Sequence, residues 1–89
     1  MRRHEELRRT ISAYCSACYA SEENPIVCDA TIGQSNAVGL SELEMPQVTK
    51  VFHDCDAVVW VGIHGVDEPM ELDELSTDDL ETIFESLKS

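Results

Sequence analysis

"VTKVFHDCDAVVWVGI", residues 48–63, decides the fold. Two β-rich runs, 48–53 and 57–63, flank Asp54-Cys55-Asp56, and an Asp-bearing connection between such runs reads as a hairpin. The second run is apolar at both parities, Ala57, Val59, Val61 and Ile63 alternating with Val58 and Trp60, as expected of a central strand covered on one side by helices. A rival pattern overlaps the first run. Val48, Val51, Phe52 and Cys55 also fit the 3-4-7 spacing of a short helix over 46–54. The hairpin is the expected arrangement.

Working outward, residues 26–32 alternate as well, with Ile26, Cys28, Ala30 and Ile32 on one face and Asp29 and Thr31 on the other, which predicts a half-buried strand. Before it, Tyr14, Leu7, Cys18, Ile11 and Cys15 fall on an apolar arc about 100° wide and predict an amphipathic helix over 3–19. Pro25 and the residue before it cannot continue that helix. The stretch 33–46 reads as turns, with a helical turn from Ser41 closed by Glu44 in a capping box. At the far end, Ser76 is a good N-cap with Asp79 three residues on, and Leu75 can staple to Leu80. Leu80, Ile83, Phe84 and Leu87 then form the inner stripe of a last helix, with Asp78, Asp79, Glu81 and Glu85 facing outward.

Helix, strand, hairpin and helix make a small α+β fold: about three antiparallel strands, with the N-terminal helix and the C-terminal amphipathic helix packed on the sheet. A chain of 89 residues supports one domain over 1–89 with a modest core. No apolar run reaches the roughly 18 residues of a membrane span, and no signal-peptide core follows the first residues. A cytoplasmic protein with reduced thiols is the expectation.

Charge is uneven. Arg2, Arg3, Arg8 and Arg9 stand against Glu5 and Glu6 in the first nine residues, a balance of +2, so the rest of the chain carries −14 of the net −12. Such a field repels nucleic acid and anionic membranes, and it suits a basic or nucleic-acid-binding protein as partner.

The cysteines raise the question of metal. Cys15-x-x-Cys18 with Cys28 and either Cys55 or His53 has the donor types that zinc takes in a tetrahedron. The spacing is poor for it, because His53-x-Cys55 leaves a one-residue gap and Cys28 stands alone. Helix and strand periods instead put Cys15, Cys18 and Cys28 inward, close together where the first helix packs on the first strand, and free cysteine commonly fills cores. No cofactor is expected. Redox chemistry needs a thiol made acidic by a helix N-terminus or by cations, whereas Cys15 and Cys18 stand near a helix C-terminus and Cys55 between two aspartates. His53-Asp54-Cys55 are chain neighbours that do not point at one another as a catalytic set would, and Asp54-x-Asp56 lacks the remaining ligands of a calcium loop. No catalytic constellation emerges.

The remaining candidate is the acidic run, with Asp73, Glu74, Asp78, Glu81 and Glu85 as partner-binding residues. Asp78, Glu81 and Glu85 form a row spaced about 4.5 and 6 Å along the helix axis, roughly as successive phosphates are. The reading is a small acidic, non-enzymatic module for protein–protein contact. Three alternatives remain: a nucleic-acid mimic of phage or mobile-element type that inhibits a DNA-binding enzyme, a zinc-stabilised structural module, and self-association of the basic first helix with the acidic last one.

Overall fold

The structure, a computed structural model, describes residues 2–33 and 46–88. Its elements are α1 (Arg2–Ala17), β1 (Ile26–Thr31), β2 (Gln47–His53), β3 (Val59–Ile63), β4 (Met70–Glu71) and α2 (Thr77–Lys88), with one 3-10 turn, Leu72–Glu74, before α2. The expected helical turn from Ser41 to Glu44 lies outside the described residues. The sheet is an antiparallel meander in the order β1-β2-β3-β4.

The hairpin forms, and the helix over 46–54 does not. Val48 pairs with Ile63 and Val51 with Val61, while the register shifts between Val48 and Lys50. That bulge lets two residues three apart both face the core, and Val48 and Val51 are fully buried. The spacing that mimicked a helix is therefore the signature of a bulged strand. β3 begins at Val59 rather than Ala57, because Ala57 takes a φ of +63° inside the turn. A fourth strand joins the three expected: β4 is two residues long and carries no readable alternation.

Both helices lie on one face of the sheet. α1 packs mainly against α2 and β2, and α2 lies along β1. This corrects the expectation that α1 packs on the first strand. The helices run in the same direction, start beside start and end beside end. His4 Nε2 meets the carbonyl of Leu75 at 2.7 Å near their beginnings, and Tyr14 donates its hydroxyl to the carbonyl of Leu87 at 3.0 Å near their ends. Ile11, Leu80 and Ile83 are fully buried between helices and sheet, each stabilising the fold by about 2 kcal/mol.

α1 ends two residues earlier than its apolar arc predicted. Tyr19 adopts a φ of +52°, the Ala20 amide donates to the carbonyl of Cys15 at 2.9 Å, and the Tyr19 amide donates to that of Ser16 at 3.1 Å. This is a Schellman stop, with Ala20 and Cys15 as its buried apolar pair. Cys18, placed on the inner arc by helical extrapolation, is consequently exposed. α2 begins as expected: the Asp79 amide donates to Ser76 Oγ at 3.2 Å, and Leu75 and Leu80 both enter the core.

β1 is an edge strand, and α2 blocks its open side. The Asp29 amide donates to Ser86 Oγ at 3.0 Å, and the same hydroxyl donates to the Asp29 carbonyl at 3.1 Å. Unpaired edge groups template intermolecular pairing, and this contact satisfies two of them.

Candidate functional site

Cys15 lies near enough to Cys18 and Cys28 to feel both thiols, but the four cysteines do not share one environment. Cys15 and Cys28 are buried, Cys18 and Cys55 exposed. Burial pushes the Cys15 thiol up to about 11, with the Cys18 and Cys28 thiols adding to the effect. Burial likewise raises Cys28 to about 11, reinforced by Asp29 and opposed by a hydrogen bond with Ser86. Thiols held protonated are poor nucleophiles. Among the described residues, no group of three or more His, Cys, Asp or Glu side chains is arranged to hold a metal ion. His53 faces α1, its Nε2 3.2 Å from Ser12 Oγ, and so fastens helix to sheet.

The acidic candidates on and before α2 are in part engaged within the chain. Arg3 pairs with Glu81 at 3.1 Å, Arg8 with Asp73 at 3.0 Å and Lys88 with Glu85 at 3.3 Å. Glu74 accepts the Glu71 amide at 3.3 Å in the capping box of the 3-10 turn. Asp78 is exposed at the start of α2. Asp79, expected on the outward side, is 1% exposed, and its Oδ1 accepts the Gly33 amide at 3.3 Å. A contact from the end of β1 draws it inward, which helical period alone cannot register.

A second acidic site lies on the sheet face that the helices leave open. The register sets Lys50 opposite Val27 and Gly62, and Phe52 opposite Trp60, on the face away from Val51 and Val61. Val27 on that face is 82% exposed. Gly62 makes room for Lys50, whose aliphatic chain lies so close that a Cβ there would sit 2.7 Å from Lys50 Cγ. The Lys50 ammonium then stands over the Phe52 ring, 5.6 Å from its centroid.

Beside this strip, Glu22, Phe52, Asp54, Trp60, Glu68 and Pro69 line an open cleft of about 390 Å³. Asp54 is its fixed element. Its Oδ2 accepts the Trp60 indole N–H at 2.8 Å, and its Oδ1 accepts the amides of Val58 at 2.9 Å and Asp56 at 2.8 Å. The indole bond, then the Val58 and Asp56 amides and the nearby His53, hold its carboxyl below the usual 3.8. Glu22 and Glu68 stand exposed on two connections, the α1–β1 turn and the β3–β4 loop. The β2–β3 register brings Phe52 and Trp60 together, a pairing the sequence did not single out, and nothing local announced Glu22 and Glu68 beside them.

No known protein family, curated protein or solved structure matches this chain. Among the described residues, no helix is long and apolar enough to cross a membrane.

Proposed function

We propose that the protein acts without catalysis, by contact between its acidic surface and a basic protein partner. The observation that carries this reading is the disposition of the cations. Arg3, Arg8, Arg9 and Lys88 all lie in ion pairs within the chain, and Lys50 lies over Phe52. Among the described residues, exposed carboxylates such as Glu22, Glu68 and Asp78 therefore outnumber the cations left to oppose them, in keeping with the net charge of −12. A field of one sign steers an oppositely charged partner and speeds its encounter.

The same pairs weigh on the alternatives. Glu81 and Glu85 spend part of their charge on Arg3 and Lys88, which weakens the row with Asp78 as an imitation of phosphates. Self-association through α1 and α2 would have to exchange the Arg3–Glu81 and Arg8–Asp73 pairs for equivalent ones between copies, a trade with little gain. A zinc-stabilised module would need the buried Cys15 and Cys28 and the exposed Cys18 and Cys55 brought to one point, and among the described residues no such donor group is arranged.

Capture on the immobilised full chain, eluted along a salt gradient, tests the reading. The Debye length shrinks from about 10 Å at 0.1 M to about 3 Å at 1 M salt, so a partner held by charge elutes early in the gradient and is basic in composition. A specific partner that is acidic, or one retained through high salt, overturns it.

A further inference from the structure

The open face of the sheet offers more than diffuse charge. It presents the partly exposed Trp60 ring beside Phe52, which is only 4% exposed beneath Lys50, with Pro69 and three carboxylates in the same cleft lining and no basic residue among them. We propose that this cleft receives an arginine side chain from a basic segment of a partner protein. The inference rests on the acidic-contact reading and names the face that makes the contact.

Three observations favour that occupant. First, charge complementarity is local: Glu22, Asp54 and Glu68 converge on one cleft, and Asp54 is kept ionised by donors that face it from the turn and from Trp60. Second, the surface already holds a cation in this manner. Lys50 lies over Phe52 at 5.6 Å, so a second cation over the neighbouring Trp60 extends an arrangement that the chain makes for itself. Third, the lining mixes ring faces with carboxylate oxygens, and a guanidinium is a planar cation that stacks on an aromatic face while its N–H fork grips a carboxylate. A lysine ammonium, compact and strongly hydrated, uses the charge but not the stacking surface.

The groove on α2 also sets a ring, Phe84, among carboxylates, but Lys88 of the chain itself stands over that ring, 4.8 Å from its centroid. Arg3 lines the groove beside Asp78, Glu81 and Glu85, so a guanidinium of the chain itself already occupies that surface.

Trp60 is the chain's single tryptophan and reports directly on the cleft. The probe is the peptide acetyl-Gly-Arg-Gly-Arg-Gly-amide, titrated into the full chain at low salt, with Trp60 fluorescence and the amide and indole resonances read together. The expected result is a saturable change at Trp60, weakened about tenfold by Glu22→Gln with Glu68→Gln, since each exposed pair is worth up to about fivefold. Both residues are exposed, so the double variant keeps the fold, which circular dichroism verifies. The control pair Glu5→Gln with Glu6→Gln, both exposed on α1 and outside the cleft lining, leaves the Trp60 response unchanged, and the lysine analogue of the peptide binds several-fold more weakly.

Peptide binding that shifts α2 resonances while Trp60 stays silent overturns the cleft and leaves the acidic-contact reading standing. An equal response to the lysine peptide, or an undiminished one in the Glu22 and Glu68 double variant, overturns the arginine assignment. No binding of either peptide at low salt removes both readings. Sedimentation showing that the peptide-free chain dimerises through the cleft puts a second copy there and overturns the partner assignment.

Discussion

Trp60 donates its indole N–H to Asp54 Oδ2 at 2.8 Å across the β2–β3 turn, and that one bond joins the hairpin's closure to the open face of the sheet. Asp54 Oδ1 meanwhile accepts the amides of Asp56 and Val58, so a single carboxylate satisfies the turn's backbone and fixes the indole. The residue that makes the hairpin also orients the aromatic wall of the cleft.

The bond has a pH signature. The folded carboxyl binds its proton less readily than the unfolded one, whose reference value is 3.8, so its contribution is complete above that value and is lost as pH falls below it. Urea denaturation followed by Trp60 emission should show stability dropping through that acid range, with Asp54→Asn less stable at neutral pH and flatter in its acid dependence. Parallel acid profiles for the two proteins would show that other carboxylates set the transition.

The thiols divide into two classes. Alkylation of the native protein below pH 9.0 should modify Cys18 and Cys55 quickly and spare Cys15 and Cys28, whose thiols are raised to about 11. Denaturant should release the remaining two of the four cysteines. Between pH 9.0 and about 11 the unfolded thiols ionise while the folded ones do not, so stability falls across that window. Rapid native labelling of Cys28 would place it outside the core.

The sequence was most legible where period and cap agreed. Residues 26–32 alternate strictly, and Ser76 with Asp79 marks a helix start, so β1 and α2 stand where the residues say. The bulge near Thr49 disguised β2, because an inserted residue turns a period of two into a spacing of three. Cys18 was misplaced because the stop just after it uses a tyrosine, where glycine is the usual signal. Asp79 and the cleft carboxylates were beyond local reading: Gly33 reaches Asp79 across 46 residues, and Glu22 and Glu68 come to Trp60 from separate connections.

That unusual stop is itself testable. A left-handed conformation costs a residue with a Cβ about 1–2 kcal/mol, of which glycine's extra unfolded-state freedom offsets about half. Tyr19 is 86% exposed and gives up little burial when replaced. Tyr19→Gly should therefore raise unfolding stability by about 0.5–1 kcal/mol, measured by urea denaturation with an unchanged m-value. A loss of stability would mean that the phenol ring makes a contribution larger than its exposure allows.

The last expectation concerns the open edge of the sheet. Asp29 presents its amide and carbonyl on the outer side of edge strand β1, and Ser86 of α2 satisfies both with one hydroxyl, at 3.0 and 3.1 Å. Ser86→Ala removes donor and acceptor together. Water can reach the vacated groups, so the cost in stability should stay near about 1 kcal/mol, the net worth of ordinary hydrogen bonds. The larger effect should be on association, because an edge with Val27 82% exposed beside two freed backbone groups is a template for a second strand. Sedimentation should show concentration-dependent oligomers for Ser86→Ala, while Ser86→Thr, which keeps the hydroxyl, stays with the parent. If the alanine variant loses the stability but sediments unchanged, the packing of α2 along β1 guards the edge and the hydroxyl serves only local order.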